Sequence, residues 1–237
     1  MKYGWIKQQE DRRDFKLSIP NKSLPPKFDL LSKMPPVYNQ GDLGSCTANA
    51  ISTLIHLFDF SFVPSRLMIY YNERMMEGTI SQDSGANIRD GIKSINTTGV
   101  CHEKDWLYDT TRFTTKPPKK CYDIAKLHES LSYYSVAQTE LDIKNALVSG
   151  FPITFGFQVK ESFENETTAK TGIYVPKGAI VGGHAVVIIG YDDTKKIFLI
   201  RNSWGADWGI NGYFWMPYKE VLNKSISSDF WVINKMK

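Results

Sequence analysis

Cys46, His184 and Asn202 are the residues of this 237-residue chain whose types and spacing could perform nucleophilic chemistry. Cys46 ends the run Tyr38-Asn39-Gln40-Gly41-Asp42-Leu43-Gly44-Ser45-Cys46. Beyond it, apolar residues recur at Ala50, Ile51, Leu54, Ile55 and Phe58, the spacing of a helix with one buried face. Ser45 stands at the N-cap, and Gly41 and Gly44 lend a permissive backbone to the approach. Cys46 is therefore expected in the first helical turn, where unpaired N–H groups and the helix dipole favour an anion. A thiol there should ionise more readily than a free one, and the thiolate is the nucleophile. Taken alone, a cysteine opening a helix reads as a small buried hydrophobe. Two downstream segments alter that reading. His184 opens the apolar run 185–190, and Asn202 follows a second apolar run, 197–200; they lie 138 and 156 residues beyond Cys46. A thiol, an imidazole and a carboxamide supply a nucleophile, a base that can become the acid, and a group that orients the base.

Three blocks of sequence carry a resemblance. They are Gln40-Gly41 with Gly44-Ser45-Cys46, then Gly183-His184-Ala185, then Asn202-Ser203-Trp204-Gly205 with Trp208-Gly209 and Asn211-Gly212-Tyr213. In this order they resemble the active-site blocks of the papain family of cysteine peptidases, from about residue 24 to the C-terminus. In that family His and Asn lie roughly 130–150 residues beyond the Cys. The resemblance implies a thiol endopeptidase that needs no cofactor and acts on peptides or proteins. By it, the Cys46 thiolate attacks the scissile carbonyl to form an acyl-thioester. His184 stabilises the thiolate, protonates the leaving amine and then activates water, while Asn202 orients the imidazole. Trp204 would shield the His184–Asn202 bond from water, and Gln40 with the Cys46 N–H would donate to the oxyanion. Substrate binding is expected at Gly85, Ala86 and Gly183.

Two other readings stay open: a catalytically silent binding module, and an acyl or amine transferase of the same fold. The four catalytic positions are all filled, which argues against the first. Transferase-like relatives typically carry Asp where this chain has Asn202, which argues against the second. The chain also departs from the family. Thr47 follows the nucleophile where Trp is usual. Leu43 replaces a Cys that the family bridges to a Gly-Cys-x-Gly-Gly loop, and Gln82-Asp83-Ser84-Gly85 carries no Cys either. Residues 44–50 and the short N-terminal arm look closer to prokaryotic or viral members, which lack a long pro-domain, than to secreted lysosomal ones.

The elements that must position these residues divide the chain into three. Residues 1–23 are polar, with Asp11-Arg12-Arg13-Asp14 in a row, and read as an arm. It is either a short inhibitory segment lying in the cleft or an arm fixed to the second lobe. Residues 24–125 read as a mainly helical lobe. After the first helix, Pro64-Ser65 opens a second that Gly78 ends, and Asp83-Ser84-Gly85 leads into a third through Ile88, Ile92 and Ile95. Pro117-Pro118 marks the boundary region. Residues 126–237 read as a mainly β lobe, with strands over 131–137, 151–159, 172–175, 184–191, 197–202, 213–216 and 230–233. One helix interrupts them, capped by Thr139 and stopped by Gly150. The fold class is α+β, a papain-like two-lobe fold with a helical left lobe and an antiparallel β-barrel-like right lobe, the site lying in the cleft between.

Composition narrows the function classes. Aromatics at 13% and hydrophobic residues at 42% read as globular, and the net charge of +4 is mild. No basic stripe interleaved with aromatics points to nucleic acid. The longest nearly apolar run, 179–190, contains His184 and falls short of the about 20 residues a membrane span needs. The N-terminal residues have no apolar h-region, so no secretory signal is read and a cytoplasmic or virion location is the default expectation. The three Cys and four His show no metal-ligand spacing, so no metal is expected. Cys101 and Cys121 are left open between a disulfide and two free thiols.

Overall fold

The helical spacing after Cys46, Ser65 and Asn87 folds as α1 (Cys46–His56), α2 (Arg66–Glu77) and α3 (Ile88–Thr97). The structure is a computed structural model that describes residues 3–237, so the first two residues of the arm lie outside the described residues. Ser65 caps α2 by accepting the Met68 N–H, and Gly78, at φ 73°, closes it in the left-handed conformation a helix end requires. Pro64 therefore stands one residue ahead of the cap rather than inside the first turn. The third helix is capped by Asn87, whose side chain accepts the Asp90 N–H.

All eleven residues of α1 are buried, although its sequence pattern predicts a single buried face. The helix lies between α2 and α3 on one side and a strand of the sheet on the other, so its polar side chains must find partners internally. Asn49 donates to the Ser45 carbonyl and Thr53 to the Asn49 carbonyl.

The strands are β1 (Lys27–Asp29), β2 (Ser130–Ser135), β3 (Ile153–Lys160), β4 (Ile180–Asp192), β5 (Ile197–Arg201), β6 (Tyr213–Pro217) and β7 (Ser227–Met236). They pair antiparallel in the order β2-β7-β3-β4-β5-β6, with β1 on the far end of β4. The path stays open, so the right-hand part is an antiparallel sheet that does not close into a barrel. Four shorter helices are α4 (Lys119–Ala125), α5 (Glu140–Val148), α6 (Glu166–Thr171) and α7 (Tyr218–Val221). Thr139 caps α5 as expected, accepting the Asp142 N–H. The expected strand over 172–175 is absent: α6 fills the segment before it, and only an isolated bridge joins Ile173 to Trp215. Buried hydrophobics from α1, α2, α3 and the sheet form one connected core. Register on β4 sets His184 opposite Phe157 and Ala185 opposite Gly156, which fixes the face His184 presents.

Candidate active site

Cys46 is the first residue of α1, with Ser45 at the cap position. The Ser45 side chain does not cap the helix; its hydroxyl bonds Tyr108 at 2.5 Å and takes an Asn49 amide N–H at 3.1 Å. The turn before it is held by Gln40, which is fully buried. Gln40 Nε2 donates to the Leu43 carbonyl at 2.9 Å, and its Oε1 accepts the Ser203 hydroxyl at 2.7 Å. Backbone bonds from Gln40 N to the Ser203 carbonyl and from Gly205 N to the Tyr38 carbonyl bind this turn to the Asn202 block.

His184 lies on β4 and Asn202 directly follows β5, the neighbouring strand. His184 Nε2 bonds Asn202 Oδ1 at 2.8 Å, and the same oxygen accepts the Ser203 N–H at 2.8 Å. With Nε2 engaged, Nδ1 is the ring's other exchangeable position, and it has no hydrogen-bond partner among the described residues. Trp204 lies 5.0 Å from the imidazole, centroid to centroid, and Phe157 and Phe163 complete an aromatic surround. Cys46 Sγ accepts the Ala185 N–H at 3.4 Å. The sequence-derived residues Cys46, His184, Asn202, Gln40 and Trp204 thus converge at one place.

The cleft between α1 and β4 is filled by the chain's own N-terminus. Gly4 N and Trp5 N donate to the Gly183 carbonyl at 3.1 and 2.9 Å. Ala86 N donates to the Gly4 carbonyl at 2.8 Å, and Ile6 N to the Ala86 carbonyl at 3.0 Å, so Trp5 and Ala86 form an isolated parallel bridge. Gly85, Ala86 and Gly183, the three residues expected to bind substrate, all lie against this arm. A Cβ on Gly4 would come within 1.8 Å of the Gly44 carbonyl oxygen, so only glycine passes there. The Tyr3 ring packs against His184 and Trp204, and its hydroxyl reaches Glu164 at 2.5 Å. The Trp5 indole lies over Gly156 and Gly183 and donates to Asp229 at 2.9 Å. Farther along, Gln8 N also donates to Asp229, Asp14 pairs with Arg89, and the Leu17 N–H donates to the Ser135 carbonyl. The arm therefore occupies the cleft and is also fastened to the sheet.

This covering reverses the expected ionisation. Cys46 and His184 are both fully buried. Burial pushes the thiol up to about 12, outweighing the N–H groups of Ala185, Gly4 and Thr47 that pull it down. Burial likewise pulls the imidazole down to about 4 against the opposing bond to Asn202. Near neutral pH both groups are uncharged. The favourable helix end is present, but the loss of water is the larger effect.

Among the described residues no group of three or more His, Cys, Asp or Glu side chains could hold a metal ion. No helix among them is long and apolar enough to cross a membrane. Cys101 and Cys121 are free, buried thiols.

The profile of the papain family cysteine proteases matches residues 24–231. The chain belongs to the papain family of cysteine proteases. A peptidase C1-like protein of Acanthamoeba polyphaga mimivirus is 43% identical over 99% of this chain and 87% of the relative. Among solved structures, xylellain, a cysteine protease from Xylella fastidiosa, superposes with a TM-score of 0.89 at 41% identity, covering 99% of this chain and 96% of the other. Procathepsin B of Trypanosoma congolense shares the fold at 18% identity and a TM-score of 0.74, over 90% of this chain and 80% of that one. This papain-family chain is a cysteine-type peptidase with a mixed α+β fold.

Four residues of this peptidase's site escaped the sequence reading. Ser203 clamps Gln40, Tyr108 donates to the Gln40 carbonyl, Asp229 holds the arm, and Asp83 accepts the Gly44 N–H. Ser203 lies inside the Asn-Ser-Trp-Gly block and was within reach. The others arrive from distant segments with no local pattern to mark them.

Proposed function

We propose that the chain is a thiol endopeptidase acting through Cys46, His184 and Asn202, and that its N-terminal arm holds it closed. The observation that carries the reading is the passage of Gly4 over the Cys46 thiol with the arm's backbone paired to Gly183 on one wall and Ala86 on the other. A peptide backbone thus fits between the two walls at the thiol, as a peptide substrate would. In this reading residues 24–125 supply the nucleophile's wall and residues 126–237 the wall of the base.

On release of the arm, water re-enters and the burial penalty on both charged forms relaxes. The Cys46 proton then passes to His184 Nδ1, giving a thiolate beside an imidazolium whose Nε2–H donates to Asn202. The thiolate adds to the scissile carbonyl carbon, and its oxygen takes charge facing the Cys46 N–H and the Gln40 amide. The carbon–nitrogen bond breaks as His184 protonates the departing amine, leaving the acyl-thioester. A water deprotonated by His184 adds to that thioester and frees the acid and the thiol. Gly85, Ala86 and Gly183 would offer the substrate the backbone groups they now give the arm.

The test uses full-length protein and an internally quenched peptide. Gly4→Ala forces a Cβ into the Gly44 carbonyl without touching any group of the proposed chemistry. Overpacking of ~1–3 kcal/mol should raise the open population, and so hydrolysis, about five- to a hundredfold over wild type. Cys46→Ala should abolish hydrolysis in either chain. A wild-type chain already as fast as Gly4→Ala would remove the arm from the proposal; hydrolysis surviving Cys46→Ala would remove the triad.

A further inference from the structure

The turn that ends at the nucleophile and the loop that pairs with the arm through Ala86 lie side by side, and neither carries the cysteine by which the family joins them. Asp83 joins them instead. Its carboxylate accepts the Gly44 N–H at 3.0 Å through Oδ1 and 3.2 Å through Oδ2. It also accepts the hydroxyl of Tyr70, a fully buried residue of α2, at 2.5 Å. The Tyr70 oxygen in turn accepts the Gly85 N–H at 3.1 Å. An unbroken chain of bonds therefore runs from Gly44, two residues before Cys46, to Gly85, beside Ala86.

The peptide unit between Leu43 and Gly44 makes this more than a tether. Its N–H points to Asp83, and its carbonyl accepts Gln40 Nε2 at 2.9 Å. One planar group is thus gripped at both ends, and a rotation that frees the N–H must also swing the carbonyl that orients the Gln40 amide. Burial first, and then the carboxylate of Asp83, raise the pKa of Tyr70, so its hydroxyl stays a donor.

We infer that Asp83 is a positioning residue of the peptidase site, fixing the Gln40 amide through the Leu43–Gly44 peptide and the Gly85–Ala86 edge through Tyr70. The inference rests on the proposed peptidase reading. It assigns Asp83 a function in place of the missing disulfide: a tie that needs no oxidation.

The experiment measures kcat and KM separately in the full-length Gly4→Ala chain, against further variants made in it. Asp83→Ala should lower kcat about ten- to a hundredfold, the scale expected when a catalytic group is misplaced by ~1 Å. Asp83→Asn, which keeps an oxygen for the Gly44 N–H, should recover part of that loss. Tyr70→Phe, which frees the Gly85 N–H, should raise KM. The decisive comparison is with Gln40→Ala: if Asp83 acts through Gln40, Asp83→Ala adds little to it, whereas a merely structural role multiplies the two losses. In parallel, ¹⁵N-glycine NMR of the otherwise wild-type chain should show the Gly44 and Gly85 amides shifting in Asp83→Asn. An Asp83→Ala chain as fast as its parent, losses that multiply, or unmoved Gly44 and Gly85 amides would each overturn the inference. A Gly4→Ala parent that hydrolyses nothing would instead count against the peptidase reading, with the NMR comparison still deciding the tie.

Discussion

His184 and Gln40 are each held by a second side chain, and these partners decide what each can do. Asn202 Oδ1 takes Nε2 of His184, which directs the ring's Nδ1 toward the exchange of protons. Ser203 donates to Gln40 Oε1 and so fixes which end of the amide carries hydrogens. In the Gly4→Ala chain, Gln40→Ala is expected to cost about 10²–10³ in kcat, as loss of an oxyanion donor does. Ser203→Ala should cost less, about tenfold, because the Leu43 carbonyl still holds Nε2. Steady-state kinetics on one peptide separates the two. That Cys46, His184, Asn202 and Gln40 come together was legible in the sequence because the proposed chemistry restricts both their type and their spacing. The ionisation of Cys46 was not, since a helix N-terminus is written locally whereas the arm that dries the thiol comes from more than forty residues away. Ser203, Asp83 and Asp229 act through folding contacts that leave no periodic trace.

At the scale of elements, α1, α2, α3, α5 and most strands followed from apolar spacing and cap residues. Those without such signals did not: α6 is six residues with one buried side chain, capped by Asn165, and nothing apolar announces it. The arm is the element with the largest consequence. In the closed form His184 takes its proton only near pH 4, against 6.5 for an ordinary imidazole. On release His184 gains the proton that Cys46 gives up, so the closed thiol–imidazole pair and the released thiolate–imidazolium pair each hold one proton across that window, and the pair itself gives release no pH dependence there. Asp229 binds its proton more readily in the closed form, because burial raises its carboxyl, so lowering the pH does not favour release. The expectation is that the Gly4 amide resonance of the closed form persists as the pH falls from 6.5 toward 4, in wild type and in His184→Gln alike. Fading in wild type that His184→Gln removes would show that His184 takes a proton from solvent on release.

At the scale of the molecule, the sheet and α1 share one core, with the cleft opening where α1 begins, Cys46 lying against β4. That arrangement suits a zymogen-like design in which closure needs few residues. Residues 3–6 occupy the cleft, while residues 7–17 are bonded to β7 through Asp229, to α3 through Arg89 and to β2 through Ser135. Cutting or straining the arm at Gly4 leaves those outer bonds in place, so release can be local. The two-part α-then-β order was legible from the change of periodicity along the chain. The open sheet was not, because closure depends on which strands meet at the edges. In the proposed mechanism one covering arm separates a neutral, buried thiol from a reactive thiolate. Its most direct test is the rate of iodoacetamide labelling of each cysteine against pH, read by peptide mass spectrometry on wild type and Gly4→Ala. Wild-type Cys46 should label slowly and accelerate only in strong alkali, in keeping with a thiol pushed up to about 12. In Gly4→Ala it should label fast well below the about 8.5 of a free thiol, and His184→Ala should remove that gain. Cys46 labelling no faster than Cys101 and Cys121 in Gly4→Ala would contradict the claim.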